Sequence, residues 1–436
     1  MNNKSNFSRR EFMKGSAALA GTFALGTLPF SVNSKPMADK AIKLALVGCG
    51  GRGTGAAVQA LNVKQNVKLV AMADAFRDRL DSSLSNIMQD PVAGPRADVK
   101  EKMKFVGFDA YKKAIDECDV VILTTPPGFR PVQLEYALAA GKHVFSEKPL
   151  ATDAAGIRKV LSLVEVARSK KLNVVVGLQR HYQTVYRELL KRINDGMIGD
   201  ITSGQVYWNS GGVWVHPKEP GQTELVHQMR NWYYYNWLCG DHIVEQHIHN
   251  INVYNWFKNA HPVKAQGMGG RQVRTGKEYG EIYDHHYVEF TYADGSVLNS
   301  QCRHIKGCME RVAENFAGTK GRADSSGTIY DLKGNILWKH RDQDDPNPYQ
   351  VEHDELFAAI EKGEVINNLQ YGAESTMTAI MGRMVTYSGQ QLTWDEALNS
   401  QVVINPGITS WEDTPPVMPD SDGFYQIATP GVTKVI

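Results

Sequence analysis

The sequence lacks the features that mark several large classes of protein. Its formal net charge is only +1, so charge gives no sign of nucleic acid or an anionic membrane surface as a partner. Its five cysteines are scattered and form no CxxC pair, which argues against a disulfide framework or a zinc–cysteine site. Internal repeats and low-complexity segments are absent as well. The remaining composition is that of an ordinary globular protein, and 436 residues suggest two or three domains.

Long apolar runs are also missing, except near the N-terminus. There, Arg9 and Arg10 in SRREFMK precede the run GSAALAGTFALGTLPF. A run of about 15 residues is too short to span a bilayer comfortably and is typical of a signal peptide. Paired arginines before such a run resemble a twin-arginine export signal; an ordinary Sec signal or an N-terminal anchor is the alternative. We therefore expect a signal peptide over residues 1–38, a periplasmic protein, and no membrane span after export.

A glycine-rich turn follows the first strongly apolar segment. The stretch AIKLALVGCGGRG contains Gly48, Gly50 and Gly53 in the spacing GxGxxG, and small residues follow it. The first glycine permits a tight turn between strand and helix, the second lets the backbone approach a pyrophosphate, and the third allows close packing of the helix on the strand. The pattern predicts the first strand, turn and helix of a dinucleotide-binding fold.

A second strand, VKLVAMAD, places an acid where such a fold needs one. Asp74 ends this strand, 21 residues after Gly53, and an acid at about that distance binds the ribose hydroxyls of NAD. Asp74 would repel the 2′-phosphate of NADP. The nearby Arg77 and Arg79 weaken that argument somewhat. We expect NAD as the cofactor.

Apolar strands and helices continue to alternate as far as residue 178. This order predicts an α/β domain over residues 39–178, with a parallel sheet covered by helices on both faces. The segments 124–127 and 146–149 follow the ends of predicted strands, at the edge where ligands of open α/β sheets bind. The candidate cofactor-binding residues are Gly48, Gly50, Gly51, Arg52, Gly53, Asp74, Thr125, Pro126, Glu147, Lys148 and Arg180.

The combination of this domain with Glu147-Lys148-Pro149 and the following GLQRHY resembles the Gfo/Idh/MocA oxidoreductases. That family includes glucose–fructose oxidoreductase and inositol dehydrogenases. The resemblance covers roughly residues 41–400. It implies an α+β substrate and oligomerisation domain over residues 179–404, with a large, open, mostly antiparallel sheet, and a homo-oligomer. An extended tail over residues 405–436 follows, with apolar residues suited to wrapping a neighbouring subunit.

The family's second motif, D-x-G-x-H-x-x-D, falls on EQHIHNIN within GDHIVEQHIHNIN. His249 matches the histidine of the motif. Glu245 stands where aspartate is usual, His247 where glycine is usual, and Asn252 where the final aspartate is usual. These departures leave the reach of the acid and the class of substrate open.

We expect the same stretch to form one continuous helix. At about 100° per residue, Glu245, His249 and Asn252 fall within about 80° of His242, while His247 lies on the other side. We therefore expect no metal here, although three ligands from His242, Glu245 and His249 remain a geometric alternative. A core helix with buried histidines is a second alternative.

The resemblance implies an acid–base role for this face of the helix, against the nicotinamide. Oxidation of a secondary alcohol removes a hydride and a proton, and the hydride goes to the nicotinamide. His249 suits the proton, because the ordinary pKa of histidine is ~6.5. Lys148 would stabilise the alkoxide or help to relay the proton, unless it is a phosphate or structural contact. Glu245 would orient His249 or bind a neighbouring hydroxyl, so the candidate catalytic residues are Lys148, His249 and Glu245.

Two segments supply candidates for substrate contact. Arg180, His181 and Tyr182 follow the last strand of the first domain, and four tryptophans lie from Trp208 to Trp237. Aromatic rings suit the C–H faces of sugars, although strands are rich in aromatic core residues too. The candidate substrate-binding residues are His181, Tyr182, Trp232, Tyr235 and His242.

Together these features predict an exported, NAD-dependent oxidoreductase acting on a ring hydroxyl of a sugar or glycoside, for example at C3. The first alternative is a glycosidase that uses NAD without net redox change. A hydrolase family of the same fold, acting on α-N-acetylgalactosamine, works in this way. Its active-site run of the Thr-His-Gly-Leu-Gly-Pro type is absent here. A non-catalytic NAD-binding sensor or assembly protein is the second alternative.

Overall fold

The structure, a computed structural model, describes residues 41–341 and 344–436. The predicted signal peptide, residues 1–38, lies outside the described residues. The described chain contains two sheets with helices around them. None of the helices found in these two ranges is both long and apolar enough to cross a membrane.

The first sheet is parallel and has six strands in the order β3-β2-β1-β4-β5-β6. This is the order of a doubly wound dinucleotide-binding fold, as the sequence predicted. The strands are β1 (Ile42–Val47), β2 (Val67–Asp74), β3 (Lys104–Val106), β4 (Val120–Leu123), β5 (His143–Ser146) and β6 (Val174–Val176). The helices of this half are α1 (Gly51–Leu61), α2 (Arg77–Gln89), α3 (Ala110–Asp116), α4 (Arg130–Ala139) and α5 (Ala154–Ser169), and α6 (Thr184–Asn194) follows it.

Strand β1 explains why this sheet is covered on both faces. Its side chains alternate between faces, and Leu44 and Leu46 join one buried cluster. Ala45 and Val47 join another. Nearly every residue of β1 is therefore apolar and buried, which is why the sequence reads as a continuous hydrophobic run.

The second sheet has nine strands in the order β14-β13-β12-β11-β7-β10-β9-β8-β15. All neighbouring pairs are antiparallel except β7 and β10, which are parallel. The predicted α+β second half is confirmed. Its strands are β7 (Ile201–Ser210), β8 (Lys264–Gly270), β9 (His285–Thr291), β10 (Val297–His304), β11 (Arg311–Gly318), β12 (Gly321–Asp324), β13 (Thr328–Asp331), β14 (Ile336–Lys339) and β15 (Leu392–Thr393).

One long helix joins the two halves. Helix α12 contacts α5 and β6 of the first half and β8 and β9 of the second, and almost all of its residues are buried. Because it is buried on every side, this helix lies in the interior between the two sheets. The helices of the second half are α7 (Glu224–Arg230), α8 (Asn236–Cys239), α9 (His242–Glu245), α10 (Ile248–Lys258), α11 (Pro348–Lys362), α12 (Leu369–Ser388) and α13 (Trp394–Leu398).

The prediction of one continuous helix over GDHIVEQHIHNIN is wrong. Helix α9 ends at Glu245 and α10 begins at Ile248. The amide of His247 donates to the carbonyl oxygen of His242, five residues back, at 3.1 Å. Such a wide turn adds one residue to the helical repeat, so the angles calculated for an unbroken helix do not hold across it. Turns of this kind are frequent at functional sites.

The C-terminal tail packs on its own chain. The hydroxyl of Tyr283 donates to the carbonyl oxygen of Ala428 at 2.9 Å, and Gln228 donates to that of Val417 at 2.7 Å. The ring of Trp411 lies against Phe76 and Phe108 of the first half. The contact with a neighbouring subunit expected from the sequence stays a prediction.

Candidate active site

A cavity of about 580 Å³ lies at the edge of the first sheet where its strands end. This volume is within the usual range for a ligand pocket. Eight of the predicted cofactor-binding residues line it: Gly48, Gly50, Gly51, Arg52, Gly53, Asp74, Thr125 and Pro126.

The glycine loop fits a dinucleotide for reasons visible in its packing. Gly48 has φ +94°, and a Cβ there would lie 2.5 Å from the backbone nitrogen of Thr125. A Cβ on Gly53 would lie 2.0 Å from the carbonyl oxygen of Gly48. In contrast, a Cβ on Gly50 or Gly51 would meet nothing within 4 Å. The loop is closed where strand and helix meet and open at the N-terminus of α1, which suits a phosphate.

Asp74 stands at the end of β2, as predicted. Its Oδ2 accepts a hydrogen bond from the Cys49 amide at 2.6 Å, and its Oδ1 accepts one from the Phe76 amide at 2.9 Å. Burial raises the pKa of Asp74, and these two amides only partly offset that effect. A carboxylate has about four lone-pair sites, so Asp74 retains acceptors for ribose hydroxyls.

The two arginines near Asp74 differ in position. Arg77 pairs with Asp81 at 2.7 Å and with Glu101 at 2.5 Å. Arg79 lines the cavity. Of the two arginines that weakened the choice of NAD over NADP, only Arg79 is part of the cavity wall.

Arg52 links the glycine loop to the Glu147-Lys148-Pro149 segment. Its guanidinium forms an ion pair with Glu147 and another, at 3.1 Å, with Glu352 of α11. Burial raises the pKa of Glu147, but Arg52 and Lys148 outweigh that effect and hold it below its ordinary value. Burial and then Glu147 raise the pKa of Glu352 well above its ordinary value. The arrangement favours an ionised Glu147 next to Lys148.

Lys148 meets Glu245 across the two halves of the chain. Its Nζ donates to Glu245 Oε1 at 2.9 Å and to the Glu245 carbonyl oxygen at 2.7 Å. In an unbroken helix that carbonyl would accept from the amide of His249, but that amide donates to Gln246 instead. The interruption after α9 therefore leaves a backbone acceptor for the lysine. Two of the three predicted catalytic residues are in direct contact.

His249 lies at the start of α10, close to this pair. Its ring stacks on Trp208 with centroids 6.0 Å apart, and it is 7% exposed. Burial, followed by the positive charges of Lys148, Arg180 and Arg52, holds the pKa of His249 well below its ordinary value. The imidazole is therefore neutral near neutral pH and is able to accept a proton. A metal site formed by His242, Glu245 and His249 is disfavoured, because the Glu245 carboxylate is paired with Lys148.

The predicted residues at the end of β6 have structural partners. Arg180 forms a buried ion pair with Glu314. The ring of His181 stacks between Trp256 and Tyr371, and burial lowers its pKa to about 4. These two residues do not belong to the cavity wall, so their contact with cofactor or substrate stays a prediction.

The other four candidate substrate residues lie in four different places. Trp232 lines the cavity. Tyr182 is buried and donates to Asn368 at 3.0 Å. Tyr235 is fully buried, with its ring 5.2 Å from that of Tyr425 in the C-terminal tail. His242 is also buried, in a separate group of polar residues described below.

Several cavity residues had no sequence prediction. Phe108 follows the end of β3, so its place at the strand edge was a usable signal. Trp214 was within the aromatic-rich segment but was not singled out. Arg230 lines the cavity and forms two hydrogen bonds of 3.0 Å with Asp78. Only the fold brings α7, which carries Arg230, to the glycine loop.

The parallel sheet, glycine loop and strand-end acid define a dinucleotide-binding α/β protein. Residues 42–178 match the sequence profile of the Gfo/Idh/MocA family, described as an oxidoreductase family with an NAD-binding Rossmann fold. This part of the chain is therefore similar to the NAD-binding domain of the Gfo/Idh/MocA oxidoreductases. The family resemblance and the choice of NAD are confirmed.

Curated relatives align with a larger part of the chain. A protein named "Glycosyl hydrolase family 109 protein" from Shewanella baltica is 23% identical over 330 residues, which cover 69% of this chain and 67% of the relative. A protein named "Alpha-N-acetylgalactosaminidase" from Shewanella oneidensis is 20% identical over the same coverage.

Solved structures share the fold over most of the chain. Aldose-aldose oxidoreductase from Caulobacter crescentus has a TM-score of 0.62 at 17% identity, covering 81% of this chain and 100% of that one. Scyllo-inositol dehydrogenase from Lactobacillus casei, solved with NAD(H) and scyllo-inositol, has a TM-score of 0.60 at 20% identity, covering 82% and 100%. At these identities the likeness establishes the fold alone.

Proposed function

We propose that this protein is an exported NAD-dependent oxidoreductase that oxidises a ring hydroxyl of a sugar or glycoside, for example at C3. The observation that carries the proposal is the contact series from the cofactor cavity to the acid–base group. Arg52 lines the cavity and pairs with Glu147. The next residue, Lys148, bonds Glu245, and its charge acts on His249.

These residues have complementary roles in removing a hydroxyl proton. When bound, the nicotinamide accepts the hydride. His249 is neutral and accepts the proton as the hydroxyl becomes a carbonyl. Lys148 stabilises the negative charge that develops on the oxygen, and such preorganised charge is worth most where water is excluded. Glu245 fixes the lysine through two acceptors, the carboxylate and the main-chain carbonyl.

A carbohydrate substrate suits both the walls of the cavity and the relatives. Trp214 and Trp232 line the cavity, and indole rings combine an apolar face with one polar hydrogen. The solved structures named above act on aldoses or inositol according to their names. We propose a second sugar with a free carbonyl as the acceptor, because its reduction takes up the hydride and a proton and leaves NAD in its oxidised form.

Glycoside hydrolysis without net redox change is the second candidate, favoured by the family 109 relatives that align with 69% of the chain. A ring oxidised at C3 has an acidic hydrogen at C2. Loss of that proton expels the aglycone by elimination, water adds to the double bond, and the ketone is reduced back. The same lysine and histidine serve both reactions.

Product analysis separates the two candidates. Purified protein with NAD is incubated with a panel of p-nitrophenyl glycosides, and the products are examined by mass spectrometry. A glycoside lighter by two hydrogens identifies the dehydrogenase, whereas free sugar with nitrophenol identifies the hydrolase. His249→Ala should slow formation of either product by about 10²–10⁴-fold while NAD stays bound. Near-wild-type turnover in His249→Ala, or NAD binding without turnover on any glycoside, would contradict the proposal.

Export and assembly complete the proposal. Arg9 and Arg10 support transport by the twin-arginine route, which carries folded proteins and so suits an enzyme that holds its cofactor tightly. We also propose a periplasmic location and a homo-oligomer, which the open second sheet would support.

A further inference from the structure

A second group of polar side chains lies inside the second half of the protein, apart from the lysine–histidine site. Asp241, His242 and His286 are between 0% and 3% exposed. One ligand-type atom from each lies within 4.8 Å of the other two. The proposed reaction makes no use of this group, so the inference below stands independently of that proposal.

The tautomer of His286 follows from its hydrogen bonds. The hydroxyl of Thr386 lies 3.1 Å from the carbonyl oxygen of Gly382 and 2.9 Å from that of Arg383, so it is a donor there. It must then accept from His286 Nδ1, 2.9 Å away. This leaves a lone pair on His286 Nε2, 3.3 Å from Asp241 Oδ1. Two facing acceptors repel unless a cation or a proton lies between them.

Asp241 is held in an unusual backbone conformation. Its φ is 73° and its ψ is 161°, a region used almost only by glycine, which costs on the order of 1–3 kcal/mol and occurs mainly at functional sites. Its Oδ2 accepts from Tyr387 at 2.5 Å and from the Tyr283 amide at 3.0 Å. Its Oδ1 accepts from the His242 amide at 2.5 Å and also lies near the ring nitrogens of both histidines.

A proton on His286 would remove the repulsion between His286 and Asp241, but it would leave the ring nitrogens of His242 without a partner. His242 is 1% exposed, and neither of its ring nitrogens has a hydrogen-bond partner among the described residues. Its ring stacks on His304 with centroids 4.3 Å apart, which fixes its plane. A buried polar atom left without a partner costs on the order of 1–3 kcal/mol. Its Nε2 lies 3.8 Å from Asp241 Oδ1.

We propose that Asp241, His242 and His286 bind one divalent transition-metal cation, with zinc as the best-suited ion. Bonds of about 2.1 Å in tetrahedral geometry place ligand atoms about 3.4 Å apart, close to the separations of 3.3 and 3.8 Å found here. Two imidazoles and one carboxylate are a common ligand set for zinc. The Thr386 contact orients His286, as outer partners of metal-bound histidines do.

The cation would anchor Asp241, the residue that caps the N-terminus of α9. The carbonyl oxygen of Asp241 accepts from the amides of Val244 and Glu245 at 3.0 and 2.9 Å. Fixing Asp241 therefore fixes the short turn that ends at Glu245, the partner of Lys148. The proposed role of the metal is to position that turn. The earlier expectation of no metal considered His242, Glu245 and His249 but not His286.

Metal content tests the proposal on the full protein. Protein purified without chelator should contain about one zinc per chain by elemental mass spectrometry. After chelation, added zinc should raise the melting temperature, and added cobalt(II) should give the visible absorption of a tetrahedral site. Less than a tenth of a metal per chain, with no thermal shift on adding zinc, would overturn the proposal and leave a proton on His286 as the explanation.

Variants locate the metal. His242→Ala and His286→Gln should each lower zinc content at least tenfold in protein that still binds NAD. His285→Ala is the matched control, because His285 is the neighbouring histidine on β9, is partly exposed and bonds Asp284. It should keep the zinc. If both ligand variants retain stoichiometric zinc, the metal is bound elsewhere and the proposal is wrong. If a variant fails to fold, the cobalt spectrum of the wild-type protein still decides between the outcomes.

Discussion

Removing Lys148 and His249 together should cost hardly more than removing either one. Both act on the same proton, and the charge of Lys148 is, after burial, the leading cause of the low pKa of His249. The perturbations are His249→Ala, Lys148→Met and the double variant. General acid–base catalysis contributes about 10²–10⁴-fold, so each single variant should lose ~2.7–5.4 kcal/mol of transition-state stabilisation.

The double variant separates a coupled pair from two independent residues. If the effects were independent, kcat/KM would fall by the product of the two factors, about 10⁴–10⁸-fold. Because one proton transfer is at stake, we expect the double variant to lie within about tenfold of the poorer single variant. The loss should appear in kcat/KM while NAD remains bound.

The assay is the rate of nicotinamide reduction in a single turnover, with the glycoside identified by product analysis. Lys148→Met leaves the largely buried Glu245 carboxylate without its cation, so Glu245→Gln in that background removes the unpaired charge and tests for a purely structural defect. Lys142→Met is the matched lysine control, because Lys142 lies just before β5 and bonds the Cys118 carbonyl at 2.7 Å. Near-wild-type kcat/KM in His249→Ala, or fully multiplicative losses, would refute the reasoning.

Three further predictions concern the cofactor loop, pH and export. Gly48→Ala should prevent NAD binding, because its Cβ would lie 2.5 Å from the backbone at the end of the neighbouring strand. Gly50→Ala should keep the fold and only weaken NAD binding. Equal melting temperatures and equal NAD affinities for the two variants would contradict this prediction. Burial holds the pKa of His249 below 6.5, and His249 must be neutral to act as the base. We therefore expect kcat/KM to fall only as the pH drops through a midpoint below 6.5. A midpoint of the pH profile above 6.5 would count against His249. Arg9→Lys with Arg10→Lys should leave the protein in the cytoplasm, folded and with NAD, as fractionation would reveal; export of that variant would exclude the twin-arginine route.

The first half of the fold could be predicted from the sequence because its signals are local. GxGxxG follows an apolar strand directly, and Asp74 ends the next strand, so spacing alone places them at one sheet edge. The contact between Lys148 and Glu245 was different, because 97 residues separate the two. Periodicity and composition carry no information about such a pair. The family resemblance placed both residues at the active site, but it led us to expect Glu245 to orient His249 or bind a substrate hydroxyl, whereas Glu245 accepts hydrogen bonds from Lys148.

The helix containing His249 shows where periodicity fails. An angular calculation assumes one hydrogen-bond pattern, and a single wide turn at His247 changes the phase of every later residue. No composition signal marks that turn. Buried strand residues are easier to predict. His286 lies on the same buried face of β9 as Val288 and Phe290. A period-two reading of that strand would have placed this histidine in the interior.

The position of Trp411 sets an order of events during synthesis. Its ring packs 5.1 Å from that of Phe76 and 4.7 Å from that of Phe108, and both phenylalanines line the cofactor cavity. The glycine loop and its strands are made early, and N-terminal domains generally fold first. Here, however, one cavity wall is complete only after Trp411 has been synthesised and has packed back on the first half. A chain truncated before Trp411 would therefore carry an intact glycine loop beside a poorly supported wall.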